Sequence, residues 1–124
     1  MEVGSKAPEF KLLDAEREAK TLADFSGKKV IAFFPAVFSG ICDNEMCAFR
    51  DSMTEFNGMD ANVIAISADG PFANKEFAKR NGLEFPVLSD YTLETVNAYG
   101  VLLDGFAGME GYKTAQRSVF ILDA

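Results

Sequence analysis

Histidine is absent from this chain of 124 residues, and cysteine occurs only at Cys42 and Cys47. The first absence removes Cys–His nucleophile pairs and, with so few thiols, almost every four-ligand zinc arrangement. No metal or cofactor is expected, and any group that activates a nucleophile must be a lysine, an arginine, a carboxylate or the backbone. Long apolar runs are also missing. The longest, Val30 to Phe38, contains Pro35 and falls well short of the roughly 20 residues that a membrane helix needs. No Lys/Arg cluster is present and the net charge is −7, so nucleic acid and anionic membranes make poor partners. The opening residues MEVGSKAPEF hold no apolar signal core, which leads us to expect a cytoplasmic protein. In a reducing compartment a disulfide is more often catalytic than structural.

What remains is ordinary globular composition, 48% hydrophobic and 25% charged, without repeats, low-complexity tracts or linkers. The length suits one domain, residues 1–124. Phe10–Leu13 and Ala19–Leu22 flank a charged turn and suggest a short hairpin. Val30–Phe34 is continuously apolar, as expected of a strand covered on both faces, and Asn62–Ser67 and Ser118–Leu122 look like further core strands. Between the first two, Cys42, Met46, Phe49, Met53 and Phe56 draw one apolar helical stripe. Strand, helix and buried strand make a βαβ crossover and hence a parallel pair.

A second helix is signalled by Asp69 as N-cap, Pro71 in the first turn and Gly82 as the stop. A third is expected from Asp90 to Tyr99, and the Gly-rich stretch Leu103–Gln116 reads as a long loop. The fold class is α/β, a layered sheet with flanking helices. Because the chain stops at Ala124, directly after an expected core strand, a minimal or C-terminally truncated domain is anticipated.

The stretch Pro35-Ala36-Val37-Phe38-Ser39-Gly40-Ile41-Cys42 carries the most chemistry. It leads a strand into the first turn of a helix and leaves a thiol there, where free N–H groups and the helix dipole favour a thiolate. At about 100° per residue, Cys47 lies roughly 140° around the helix from Cys42 and off the apolar stripe. A small inert hydrophobe is the ordinary alternative for a cysteine, and it suits Cys42 better than Cys47. Residues five apart on an intact helix have Cα atoms roughly 8.7 Å apart. A disulfide wants no more than about 7 Å, so a bond between the two would require local unwinding.

Pro35, Ser39 and Cys42 match the peroxiredoxin active-site motif. The run Cys42-Asp43-Asn44-Glu45-Met46-Cys47-Ala48-Phe49-Arg50-Asp51 resembles the Q-type (bacterioferritin-comigratory) subgroup, whose second cysteine stands five places downstream. NVIAIS, Phe85–Asp90, Ala98–Val101 and Arg117–Asp123 follow in the family's order, so the resemblance spans essentially the whole chain. Gly40 replaces a proline common there, and the strand and helix that follow the arginine-bearing strand in the family are lacking.

The resemblance implies a thioredoxin-like fold and reduction of hydrogen peroxide or alkyl hydroperoxides. Cys42 is then the peroxidatic thiolate, Cys47 resolves its sulfenic acid as an intramolecular disulfide, and a thioredoxin-like protein reduces it. Arg117 supplies the activating cation, its fork able to bond thiolate and peroxide oxygen. Ser39 caps the helix or contacts the peroxide, both readings staying open. Pro35 ends the strand and, by resemblance, shields Cys42 from water. Glu45 is expected as a solvated first-turn carboxylate, and Arg50 as a surface residue paired with Asp51 or Asn57. The protein would be a monomer or homodimer. A disulfide oxidoreductase would want Cys-x-x-Cys, and a non-catalytic, self-associating truncated or engineered scaffold is the other alternative.

Overall fold

The computed structural model describes residues 4–38, 41–52, 55, 58 and 61–123, with the side chains at positions 41–43 and 45 outside that set. Six strands form the main sheet, in the order β2-β1-β5-β4-β3-β8. They are β1 (Lys11–Leu13), β2 (Ala19–Thr21), β3 (Lys28–Phe33), β4 (Ala61–Ser67), β5 (Val87–Ser89) and β8 (Ser118–Leu122). β3, β4 and β5 run parallel, while β1 and β8 lie antiparallel to their neighbours β5 and β3. Helices α1 (Ile41–Asp51) and α2 (Pro71–Asn81) make the two crossovers, and α3 (Glu94–Ala98) follows β5.

The two sides of β3 and β4 each carry a core because their apolar runs are continuous rather than alternating. Ile31, Phe33, Ile64 and Ile66 pack with Phe10, Leu88, Val96 and Tyr99 on one face. Val30, Ala32, Val63 and Ala65 pack with Met46 of α1 and Phe77 of α2 on the other. Each buried Val, Ile, Leu, Phe or Met among these contributes roughly 1.5–3 kcal/mol of transfer free energy, which is what fixes the helices against the sheet. The expected stripe is thus seen in Met46, fully buried, and Phe49, partly buried; Met53 and Phe56 lie outside the described residues.

The expected hairpin forms, with Leu12 opposite Lys20, and Leu22 begins a 3-10 turn instead of prolonging the strand. Four other expectations change. Asp69 is not the N-cap of α2; Gly70 holds that position and has no side chain to cap with, while the Asp69 carboxylate accepts the N–H of Val37 instead. Gly82 does end α2, at φ 61°, donating its N–H to Ala78 and Lys79 carbonyls.

The third helix is shorter than Asp90–Tyr99, since Leu93 at φ 66° turns the chain just before it. Asp90 nevertheless caps it from upstream, accepting the N–H groups of Thr95 (3.2 Å) and Val96 (2.6 Å). The stretch read as a loop contains a second, two-stranded sheet, β6 (Leu102–Asp104) with β7 (Lys113–Ala115). Strands of three residues in Gly-rich sequence leave no periodicity to read.

β8 is an edge strand, not a core one. Phe120 and Leu122 pack inward, whereas Val119 and Ile121 are 48% and 75% exposed. Among the described residues no helix is long and apolar enough to cross a membrane.

Candidate active site

The carboxyl ends of parallel strands are where α/β sheets gather their functional groups, and the Pro35 segment leaves the sheet there. Phe33 ends β3, Phe34 donates its N–H to the Ile66 carbonyl at 3.1 Å, and Pro35 and Ala36 are buried. A proline fits this place because no ladder partner is needed and its φ is preset. Phe38 then takes φ +60°, a left-handed conformation that costs a non-glycine residue roughly 1–2 kcal/mol. Its ring is held edge-on to Phe77 (5.5 Å between centroids), with the Arg80 guanidinium 5.5 Å from its centroid. Ser39 and Gly40 lie outside the described residues.

α1 begins at Ile41, so Cys42 is the second residue of the helix, where backbone N–H groups have no intrahelical acceptor. Its side chain is outside the described set. The helix runs unbroken through Cys47, so the unwinding argument applies to this structure as it stands. Cys47 is a free, half-buried thiol that donates to Asn81 Oδ1 at 3.4 Å. Arg50 is paired with Asp51 (Nε to Oδ1, 3.0 Å), one of its two expected partners, and also donates from Nη1 to the Asn81 carbonyl at 2.6 Å.

Arg117 immediately precedes β8. The β3–β8 register sets Phe33 opposite Ser118 and so carries position 117 to the end of the sheet from which Pro35 departs. The residue is exposed.

Beneath the Pro35 segment lies a polar group that sequence reasoning missed. Asp69 Oδ2 accepts the N–H of Val37 at 2.9 Å, its own N–H reaches Ser67 Oγ at 3.2 Å, and its carbonyl accepts from Ser89 Oγ. Ser67 Oγ in turn donates to Asn74 Oδ1 at 2.9 Å. Ser67, Asn74 and Ser89 are buried, so these bonds replace water that cannot reach them. Burial pushes the Asp69 carboxyl above its usual range; the bonds from Val37 and Ser67 oppose that shift only in part. An acidic residue two places beyond an apolar parallel strand, at its carboxyl end, was the signal available for it.

The comparisons agree with this architecture. The chain is 36% identical over 127 residues to alkyl hydroperoxide reductase E of Mycobacterium tuberculosis, covering 99% of this chain and 79% of that one. It is 38% identical over 121 residues to peroxiredoxin Q, chloroplastic, of Oryza sativa subsp. japonica, covering 97% of this chain and 54% of that one. Among solved structures, the peroxidoxin BcpB of Mycobacterium tuberculosis superposes with a TM-score of 0.90 at 28% identity, over 99% of this chain and 79% of that one. The α/β architecture is therefore the thioredoxin-like fold of peroxiredoxins. An AhpC/TSA family model matches residues 3–124, and on that match, with a Q-type relative beside it, the chain belongs to the AhpC/TSA family of peroxiredoxins.

Proposed function

We propose that this chain is a thiol-dependent peroxidase of the two-cysteine kind, reducing hydrogen peroxide and alkyl hydroperoxides. The Cys42 thiolate attacks the terminal peroxide oxygen. The O–O bond breaks, the alcohol or water leaves with one proton, and Cys42 becomes a sulfenic acid. Cys47 then attacks that sulfur, forming the disulfide and releasing water. A thioredoxin-like dithiol protein returns both thiols at the cost of its own oxidation.

The observation that carries the reading is the shared edge. Cys42 stands in the first turn of α1, and the β3–β8 register brings position 117 to the end of β3 that leads into that turn. A helix N-terminus and a permanently charged guanidinium are the two levers for a low-pKa thiol in a chain without histidine. Arg117 would also bond the peroxide oxygen on which charge develops. Pro35 would exclude water from the thiolate, and Ser39 would cap the helix or hold the peroxide. The name of the mycobacterial relative, an alkyl hydroperoxide reductase, favours the same substrate class.

The test is rapid mixing of the reduced protein with one equivalent of hydrogen peroxide, followed by thiol counting and intact mass. Fast loss of both thiols with loss of two hydrogen atoms is expected. Thiols reacting no faster than free cysteine would overturn the proposal.

A further inference from the structure

Two side chains from one turn of α1 end on the same residue of α2. Cys47 donates its thiol proton to the Asn81 side chain, and Arg50, three residues later, donates to the Asn81 backbone carbonyl. Asn81 is the last residue of α2, so the Arg50 contact caps a helix C-terminus, where a cation is favoured by the dipole. The Arg50 stem passes over Gly82, its Cδ 3.9 Å from where a Cβ would stand. The same guanidinium is tied through Nε to Asp51.

The orientation of the Asn81 amide is decided by its second bond. Nδ2 donates to the Phe77 carbonyl at 3.0 Å, one turn back in α2, which leaves Oδ1 to face Cys47. An amide oxygen can only accept, so the arrangement suits a protonated thiol as donor and offers nothing to a thiolate. It also holds Cys47 against α2, while Cys42 stands five residues away at the other end of an intact stretch of helix.

We propose that Asn81 is a positioning residue for Cys47: a latch that keeps the thiol docked on α2, and that must open before Cys47 reaches the Cys42 sulfenic acid. The inference rests on the two-cysteine reading above. Arg50 keeps the C-terminal end of α1 on α2 during that step, so the rearrangement is confined to the turns between the cysteines. Resolution itself is balanced as before: the Cys47 proton and the sulfenic hydroxyl leave as water, and an S–S bond forms.

The experiment is a single turnover of the full chain with one equivalent of hydrogen peroxide, quenched over time and read by intact mass. The sulfenic acid appears as a gain of one oxygen and decays by loss of one water. Asn81→Leu removes the acceptor at similar size, and the decay is expected to quicken about fivefold, the factor set by one ordinary hydrogen bond. The gain of oxygen is the internal reference for a folded site. Asn81→Asp keeps an acceptor and makes it anionic, which binds a donor more strongly, so its decay is expected to slow. The opposite directions separate a latch from mere loosening of α2, which would move both variants alike. An unchanged or slower decay in Asn81→Leu, or an unchanged or faster one in Asn81→Asp, overturns the proposal. Should Asn81→Leu not fold, the Asn81→Asp arm decides alone. If the parent chain neither gains oxygen nor loses two hydrogen atoms, the two-cysteine reading fails instead, and that result is recognised before any variant is compared.

Discussion

The carboxylate of Asp69 accepts the backbone N–H of Val37 at 2.9 Å, joining the end of β4 to the segment that leads from β3 to Cys42. Thirty-two residues separate the two in sequence, and the contact anchors the Pro35–Phe38 turn to the end of the neighbouring strand. We expect Asp69→Ala to leave the Val37 N–H without its acceptor, at a cost of about 1–2 kcal/mol and with slower oxidation of Cys42. Asp69→Asn retains an acceptor oxygen and is expected to keep both stability and rate at neutral pH. Thermal melting and peroxide mixing of the two variants check this. Equal loss in both would mean that the charge, not the bond, is what matters.

The same residue sets a pH dependence. Its folded-state pKa is raised, chiefly by burial, and that of Asp90 is raised for the same first cause. The native state therefore holds these protons more tightly than the unfolded chain does. Their stabilising contribution is complete below the unfolded value of 3.8 and is lost as pH rises through the folded values. In Asp69→Asn this decline above pH 3.8 should become shallower relative to the parent. Melting temperature measured across the acidic range reads it, and a parallel pair of curves would show that Asp69 does not titrate differently in the fold.

Asp90 carries a structural role besides its titration. It is fully buried and accepts two N–H groups at the start of α3, a helix of five residues too short to hold itself. Asp90→Ala is expected to cost about 2–3 kcal/mol, combining a lost cap with two unpaired donors. Urea unfolding measures this. A cost below about 0.5 kcal/mol would mean that packing of Val96 and Tyr99 alone fixes α3.

Function should separate at the two cysteines. Cys42→Ser is expected to abolish peroxide turnover. Cys47→Ser should still lose the Cys42 thiol to one equivalent of peroxide, but fail to cycle with a thioredoxin-like donor. Undiminished cycling without Cys47 would assign the protein to one-cysteine chemistry.

Much of the fold was open to sequence reading because its signals are local and strong. The continuous apolar runs of β3 and β4 declare strands buried on both faces, and Pro71 with Gly82 brackets α2 almost to the residue. The candidate site was drawn from residue type and spacing, as at Pro35, Cys42, Cys47 and Arg117, and the roles given to these residues rest on the resemblance. What escaped depends on tertiary approach. Asp69 reads as an N-cap because that is what Asp before Gly-Pro ordinarily does, and only the nearness of Val37 reassigns it. Asn81 looks like any helix-terminal polar residue until α1 is packed beside it. β8 misled for the opposite reason: an apolar run of this length cannot show that it lies at an edge with Ile121 outward.

Arg117 tests function against stability most directly. Arg117 is exposed, and an exposed ion pair or hydrogen bond ordinarily contributes at most about 1 kcal/mol. Losing a donor aimed at developing charge costs on the order of a hundredfold in rate. Arg117→Ala is therefore expected to melt within about 5 °C of the parent while its Cys42 reacts roughly a hundredfold more slowly with peroxide. Arg117→Lys should recover only part of that rate, because an ammonium keeps the charge without the fork that bonds two oxygens or an oxygen and a sulfur together. Peroxide rate constants and melts on the same samples make the comparison. A large loss of stability with a proportionate loss of rate would place Arg117 in the scaffold of β8, and the activating cation would have to be sought among the remaining lysines and arginines.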